Sequence, residues 1–189
     1  MNALLATATE IQNFLQRAGE RYCFIGGIAL QRWGQPRFTR DVDLTLLCPY
    51  GAEARAVDPL LAHFAHRIPE ARAFALEHRV LLLLSAAGIP IDIALGGIPF
   101  EERCVARATE FNFGEVSLLT CSAEDLFVLK AFAGRPQDWL DIEAVAVRQH
   151  RVFDWSLVFA ELEPLAAVRD VPGLLDQLRQ LRNSVSSQD

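Results

Sequence analysis

Gly26-Gly27-Ile28-Ala29-Leu30-Gln31-Arg32-Trp33-Gly34-Gln35-Pro36-Arg37-Phe38-Thr39-Arg40-Asp41-Val42-Asp43 is the stretch on which the reading of this chain turns. The apolar run Tyr22 to Ile25 ahead of it has strand composition, the glycine pair makes a tight turn, and Ile28 to Trp33 is a short helix closed by Gly34. Gln35 to Arg40 is a loop by its proline and polar content, and Val42 to Cys48 is a strand ended by Pro49 and Gly51. Successive strand side chains point to opposite faces, so Asp41 and Asp43 share one face while Val42, Leu44 and Leu46 share the other. Two carboxylates side by side repel unless a cation lies between them.

Working outward, Ala3 to Ala18 carries apolar residues at helical spacing and stops at Gly19. Ala52 to Arg67 reads as one helix, with His63 and His66 on a solvated face. Arg79 to Ala86 and Ile91 to Leu95 form a hairpin through Gly88 to Pro90, and the second strand carries one charge, Asp92, between two isoleucines. A carboxylate in an apolar strand needs a partner. Phe100 to Ala108 is a helix, and Phe111 to Leu119 is a single loosely alternating strand around Gly114. Ser122 is the N-cap of a helix with acidic residues in its first turn and Lys130 further along. Arg135-Pro136 breaks that helix, and Gln137 to Gln149 resumes with Asp138 and Asp141 on one face. Trp155 to Val168 and Pro172 to Leu181 are two further helices before a polar tail, Asn183 to Asp189.

At 189 residues the chain fits one domain with a helical appendage, and 51% hydrophobic against 22% charged residues is the balance of a globular protein. A net charge of −6 supplies no global positive field, so a polyanion would need a local basic patch. The four cysteines, Cys23, Cys48, Cys104 and Cys121, are widely spaced and read as buried free thiols of a reducing compartment. The N-terminus lacks the basic start of a signal peptide, and no apolar run is long enough to span a bilayer, so the expectation is a soluble, cytoplasmic protein with no membrane partner. Arginine outnumbers lysine 17 to 1, and the one lysine, Lys130, points to a site that wants a strongly hydrated point charge.

If the Asp92 strand lies beside the Asp41 strand, three carboxylates meet at one edge of a sheet. That is a site for one or two Mg²⁺ ions bridging a triphosphate, because hard divalent cations prefer carboxylate and phosphate oxygens. Gly26 and Gly27 let backbone approach the phosphates, and the helix after them offers N–H donors at its positive end. Arg37, Arg40 or Lys130 would neutralise β- and γ-phosphate charge.

On these residues the sequence resembles the nucleotidyltransferase superfamily related to DNA polymerase β, and within it the AbiEii-like branch of toxin-type nucleotidyltransferases. The branch's opening pattern is matched by Gly26-Gly27-Ile28-Ala29-Leu30, Arg37, Thr39 and Asp41-Val42-Asp43, its third carboxylate by Asp92, and its downstream elements by Lys130 and Arg135-Pro136-Gln137-Asp138. The resemblance implies an α/β (α+β) fold, a mixed sheet flanked by helices with further helices at the C-terminus. Residues 1–120 would form the catalytic core, with 121–189 packed on it in a single compact unit. It also implies metal-dependent transfer of an NMP group from an NTP to a hydroxyl acceptor. Asp41 and Asp43 would be metal ligands, Asp92 a metal ligand or the base at the acceptor, and Gly26, Gly27, Arg37, Thr39 and Arg40 nucleotide-binding. Lys130 would touch phosphate or, with Asp138, hold the site together. The expected partners are an NTP, an acceptor left open between tRNA and a small molecule, and the antitoxin protein of a type IV toxin–antitoxin pair.

Two other readings remain open. One is an aminoglycoside-type adenylyltransferase, which applies the same core to a small hydroxylated substrate. The other is a non-catalytic nucleotide- or partner-binding module of the same fold.

Overall fold

The computed structural model describes residues 2–169 and 173–186. The chain divides into two compact units, Met1–Ile28 with Phe38–Cys121, and Ala29–Arg37 with Ser122–Asp189.

The first unit is built on a mixed seven-stranded sheet in the order β3-β4-β5-β2-β1-β7-β6. Its strands are β1 (Tyr22–Phe24), β2 (Val42–Leu47), β3 (Ala65–His66), β4 (Val80–Leu84), β5 (Pro90–Gly96), β6 (Thr109–Asn112) and β7 (Ser117–Thr120). β2 runs parallel to β5 and β1 parallel to β7, and the remaining pairs are antiparallel. Alternation decides what each face does. Val42, Leu44 and Leu46 of β2, Ile91, Ile93 and Leu95 of β5, and Leu81 and Leu83 of β4 are all buried in one cluster with Leu4, Ala8, Ile11 and Leu15 of α1 (Ala3–Arg17) and Val57 and Leu60 of α3 (Glu53–His63). Each such side chain contributes about 1.5–3 kcal/mol by leaving water. The residues between them, Asp43 and Asp92 among others, are thereby turned to the opposite face. On that face, toward the C-terminal ends of β2 and β5, α5 (Pro99–Arg107) packs with Cys104 sulfur 3.9 Å from that of Cys23. All four cysteines are buried thiols outside any disulfide.

Gly26 and Gly27 are not a turn ahead of a helix but its first residues, since α2 runs Gly26–Trp33. The helix expected over 52–67 stops at His63, because Phe64 turns extended (φ −106°, ψ 149°) and delivers the short edge strand β3. His63 and His66 therefore share no helical face. A further helix, α4 (Ala71–His78), lies between β3 and β4, bounded by two non-glycine residues in the left-handed region, Glu70 and Arg79, each at φ 55°. The expected single strand over 111–119 is a hairpin of β6 and β7, because Gly114 (φ +77°) reverses the chain.

The second unit comprises α6 (Ala123–Ala133), α7 (Pro136–Gln149), α8 (Trp155–Arg169) and α9 (Leu174–Ser186), with the end of α2. Ser122 caps α6 as its sequence predicts, its hydroxyl accepting from Asp125 N at 3.0 Å. Gly134 (φ +67°) ends that helix and Pro136 opens the next. Trp155 meets Phe127 and Phe153 edge-on and those two rings are tilted against each other, with ring centroids 5.0–5.4 Å apart, within this unit. The expected start of the last helix at Pro172 and the end of the tail, 187–189, lie outside the described residues. Among the described residues no helix is long and apolar enough to cross a membrane.

Gln12 of α1 does the work of a missing strand. β1 meets β7 only at its end, and Gln12 fills the open side, donating to Ser117 O at 2.7 Å and accepting from Leu119 N at 3.1 Å. Gln12→Ala should cost about 1 kcal/mol, the net worth of hydrogen bonds lost from partly buried backbone groups. Chemical denaturation, with faster amide exchange at Leu119, checks it.

Candidate active site

The residues singled out by the sequence fall into two clusters, one in each unit. In the first unit Ile25 N donates to Asp43 O at 3.0 Å, which continues the β1–β2 ladder into the glycine pair. Gly26 is at φ +56°, and a Cβ placed there would fall 2.7 Å from Cβ and Cγ of Asp43 and nearer still to Oδ2. At Gly27 an added Cβ would fall 2.7 Å from Thr39 Cβ and nearer still to its hydroxyl. No other residue fits at either position without moving these side chains. Thr39 in turn donates to Asp41 Oδ1 at 2.9 Å, which orients that carboxylate. Arg40 is exposed, its guanidinium 5.7 Å from the ring of an equally exposed Phe38.

Asp43 stands opposite Asp92 in the parallel register of β2 and β5, so the two carboxylates share a face. Asp41 stands in the bend one residue ahead of β2, two residues before Asp43. The three do not close into a ready-made cage, and among the described residues no group of three His, Cys, Asp or Glu side chains does. Asp92 is engaged by Arg67, whose Nη2 donates to Oδ2 at 3.1 Å and whose Nη1 lies 2.8 Å from Oδ1. The second approach is close enough for an ion pair but out of line for a hydrogen bond, so the buried Oδ1 accepts none.

In the second unit Lys130 is the hub. Its ammonium donates to Asp138 Oδ1 at 3.1 Å and to Asp141 Oδ2 at 2.7 Å. Arg37 grips Asp141 with two bonds of 3.1 Å, Gln137 adds a third at 3.3 Å, and Arg135 grips Asp138 through Nε at 2.7 Å. Lys130 is 5% exposed, so it is not the hydrated point charge its rarity suggested. Burial pushes the carboxyls of Asp138 and Asp141 up, but hydrogen bonds from Arg135 and Lys130 to the first, and from Arg37 and Lys130 to the second, outweigh it. Both are held below the ordinary carboxylate range. Beside this cluster a cleft of about 730 Å³ is lined by Pro36, Arg37, Leu140, Ala144, Val147 and Arg148, among others.

The model of one protein family, described as the nucleotidyl transferase AbiEii toxin of type IV toxin–antitoxin systems, matches residues 13–183. The chain belongs to the AbiEii nucleotidyltransferase family. It is accordingly a nucleotidyltransferase. No curated protein matches it by sequence. Among solved structures, an antigenic nucleotidyltransferase-like protein from Paracoccidioides brasiliensis is similar at TM-score 0.63 and 17% identity, over 96% of this chain and 89% of that one. The antibiotic-resistance factor ANT(2″)-Ia is similar at TM-score 0.53 and 17% identity, over 93% and 98%. These likenesses establish the mixed-sheet fold that the AbiEii resemblance implies.

Two residues of this AbiEii nucleotidyltransferase carry contacts that sequence spacing leaves unassigned. Asp141 is recognisable only as a neighbour of Asp138 on its helix, and nothing local marks it as the shared acceptor of Lys130 and Arg37. Arg67 carries no signal beyond the demand of Asp92 for a partner, which any of 17 arginines satisfies on paper.

The depressed carboxyls set the pH response. Because their folded pKa values lie below the unfolded ones, their contribution is complete above the unfolded value of about 4 and is lost as pH falls through the folded values. Asp141→Asn should therefore lower stability by about 2–3 kcal/mol at pH 7 and flatten the loss between neutral and acid pH. Denaturant titrations of both proteins at pH 7 and pH 3 measure this.

Proposed function

We propose that Asp41, Asp43 and Asp92 hold Mg²⁺ with an incoming NTP, and that the enzyme transfers the NMP group to a hydroxyl acceptor with release of pyrophosphate. The observation that carries this reading is the register that sets Asp43 against Asp92 on one sheet face, with Gly26 pressed against Asp43. The donor set suits the ion. All three ligands are hard oxygens, and the buried Oδ1 of Asp92 has no hydrogen-bond donor. Mg²⁺ is commonly bound by one or two carboxylates and completed by substrate phosphates, so the nucleotide would supply the remaining ligands. When bound, the ion neutralises phosphate charge and orients the α-phosphorus for in-line attack.

The chain's own residues supply the rest. The two glycines let the triphosphate approach the backbone at the start of α2, where free N–H groups and the positive helix end attract it. Thr39 holds the Asp41 carboxylate in one orientation. The exposed Arg40 meets negative charge at the loop. The acceptor oxygen bonds to the α-phosphorus, the bond from the α-phosphorus to the oxygen it shares with the β-phosphate breaks, and the acceptor proton passes to a carboxylate, a role we assign to Asp92. Lys130, Asp138 and Arg37 are assigned to holding the second unit together rather than to phosphate, since their charges are bound to one another and to Asp141.

The family's type IV toxin–antitoxin description supports a toxin role and an antitoxin protein as partner. The acceptor is either a tRNA or a small hydroxylated molecule. Incubating the protein with each α-labelled NTP, total RNA, a panel of aminoglycosides and the protein itself identifies the acceptor by what becomes labelled. Asp43→Ala should abolish Mg²⁺-dependent pyrophosphate release while leaving the fold intact by circular dichroism. Full turnover in that variant would remove the mechanism.

A further inference from the structure

A row of side chains crosses four neighbouring strand positions on the face that carries Asp43. β3 pairs with β4 as Ala65↔Leu84 and His66↔Leu83, and Arg67 N continues that ladder by donating to Leu82 O at 3.0 Å. Leu82 stands opposite Asp92, and Asp92 opposite Asp43. The order across the sheet is thus Arg67, Leu82, Asp92, Asp43. Strands lie about 4.8 Å apart, so Arg67 has to reach over Leu82 to touch Asp92, a span that suits an extended arginine. It does reach, with one guanidinium nitrogen near each carboxylate oxygen.

Three features make this pair more than a tie across the sheet edge. It lies on a carboxylate whose neighbour in register is Asp43, so the guanidinium puts a positive charge in the row where a divalent cation would otherwise be wanted. Both side chains are about one-third exposed, at 31% and 30%, and pairs so open to water are weak and reversible. The geometry is also incomplete, because Oδ1 is buried and accepts no hydrogen bond even with Nη1 beside it.

We propose that Arg67 is a built-in counter-ion that competes with divalent metal for Asp92, so that the third carboxylate is closed by a guanidinium until a metal ion displaces it. This rests on the reading of Asp41, Asp43 and Asp92 as metal ligands. Arg67 is then a positioning residue acting through Asp92, and it sets how readily the site takes up metal.

Mn²⁺ binding to the full chain without nucleotide, followed by electron paramagnetic resonance of the free ion and by calorimetry, tests this. Arg67→Gln should bind Mn²⁺ about three- to tenfold more tightly than the wild type, because a competing charge is gone. In the Arg67→Gln/Asp92→Asn double variant the gain should vanish. Arg67→Lys, which keeps the charge but not the fork, should show a smaller gain and serves if the glutamine variant does not fold. Equal affinity of wild type and Arg67→Gln, or a gain that survives Asp92→Asn, overturns the proposal. Lower thermal stability with unchanged Mn²⁺ affinity also overturns it, leaving Arg67 as a structural tie at the sheet edge. If Asp43→Ala leaves Mn²⁺ affinity untouched, the metal reading itself falls and the counter-ion role with it. If Asp43→Ala weakens binding while Arg67→Gln changes nothing, only the counter-ion role falls.

Discussion

β2 and β5 run side by side in parallel, with Asp43 opposite Asp92, and the first unit is arranged around that pairing. Like charges facing each other across a sheet destabilise it, so the register must be held by something stronger. The other face supplies it. Val42, Leu44 and Leu46 meet Ile91, Ile93 and Leu95 there, all buried, and a slip of either strand by one residue would carry its three apolar side chains to the other face and its carboxylate into the core. Parallel neighbours also need a crossover, and the chain from α3 through β4 provides it while adding β4 as a further partner of β5. The carboxylate pair is thus imposed by hydrophobic burial on the face it does not occupy.

The glycine pair works under the same constraint. Ile25 bonds to the backbone of Asp43, which brings residue 26 against the Asp43 side chain, and only a residue without Cβ leaves that carboxylate where the register puts it. Position 27 stands in the same relation to Thr39, which orients Asp41. Two glycines and one hydroxyl therefore fix two carboxylates.

The second unit solves a different problem, the burial of like-charged groups. Asp138 and Asp141 are a helical turn apart and nearly inaccessible, and Lys130 bridges them with a single ammonium. A compact ammonium fits between two carboxylates where a planar fork would not, which accounts for lysine at this one place in a chain that otherwise uses arginine. Arg37 and Arg135 then take the remaining lone pairs from the rim.

What the sequence determined by itself was local. The Ser122 cap, the hairpin of β4 and β5 and the buried thiols all follow from residue type and short spacing, and all stand in the structure. The family pattern carried the sheet architecture further than periodicity alone. Tertiary structure decided the rest. α4 starts and ends at left-handed Glu70 and Arg79, which carry no glycine signal, and β3 is two exposed residues with no apolar pattern. Gly114 was legible as a glycine but not as the turn of a hairpin, because a loose alternation reads equally as one strand or two. Lys130 was conspicuous by its rarity, yet its burial and its second acceptor, Asp141, depend on how helices pack. Which arginine answers Asp92 is a matter of strand order across the sheet, and strand order is set by long-range burial that local spacing does not encode.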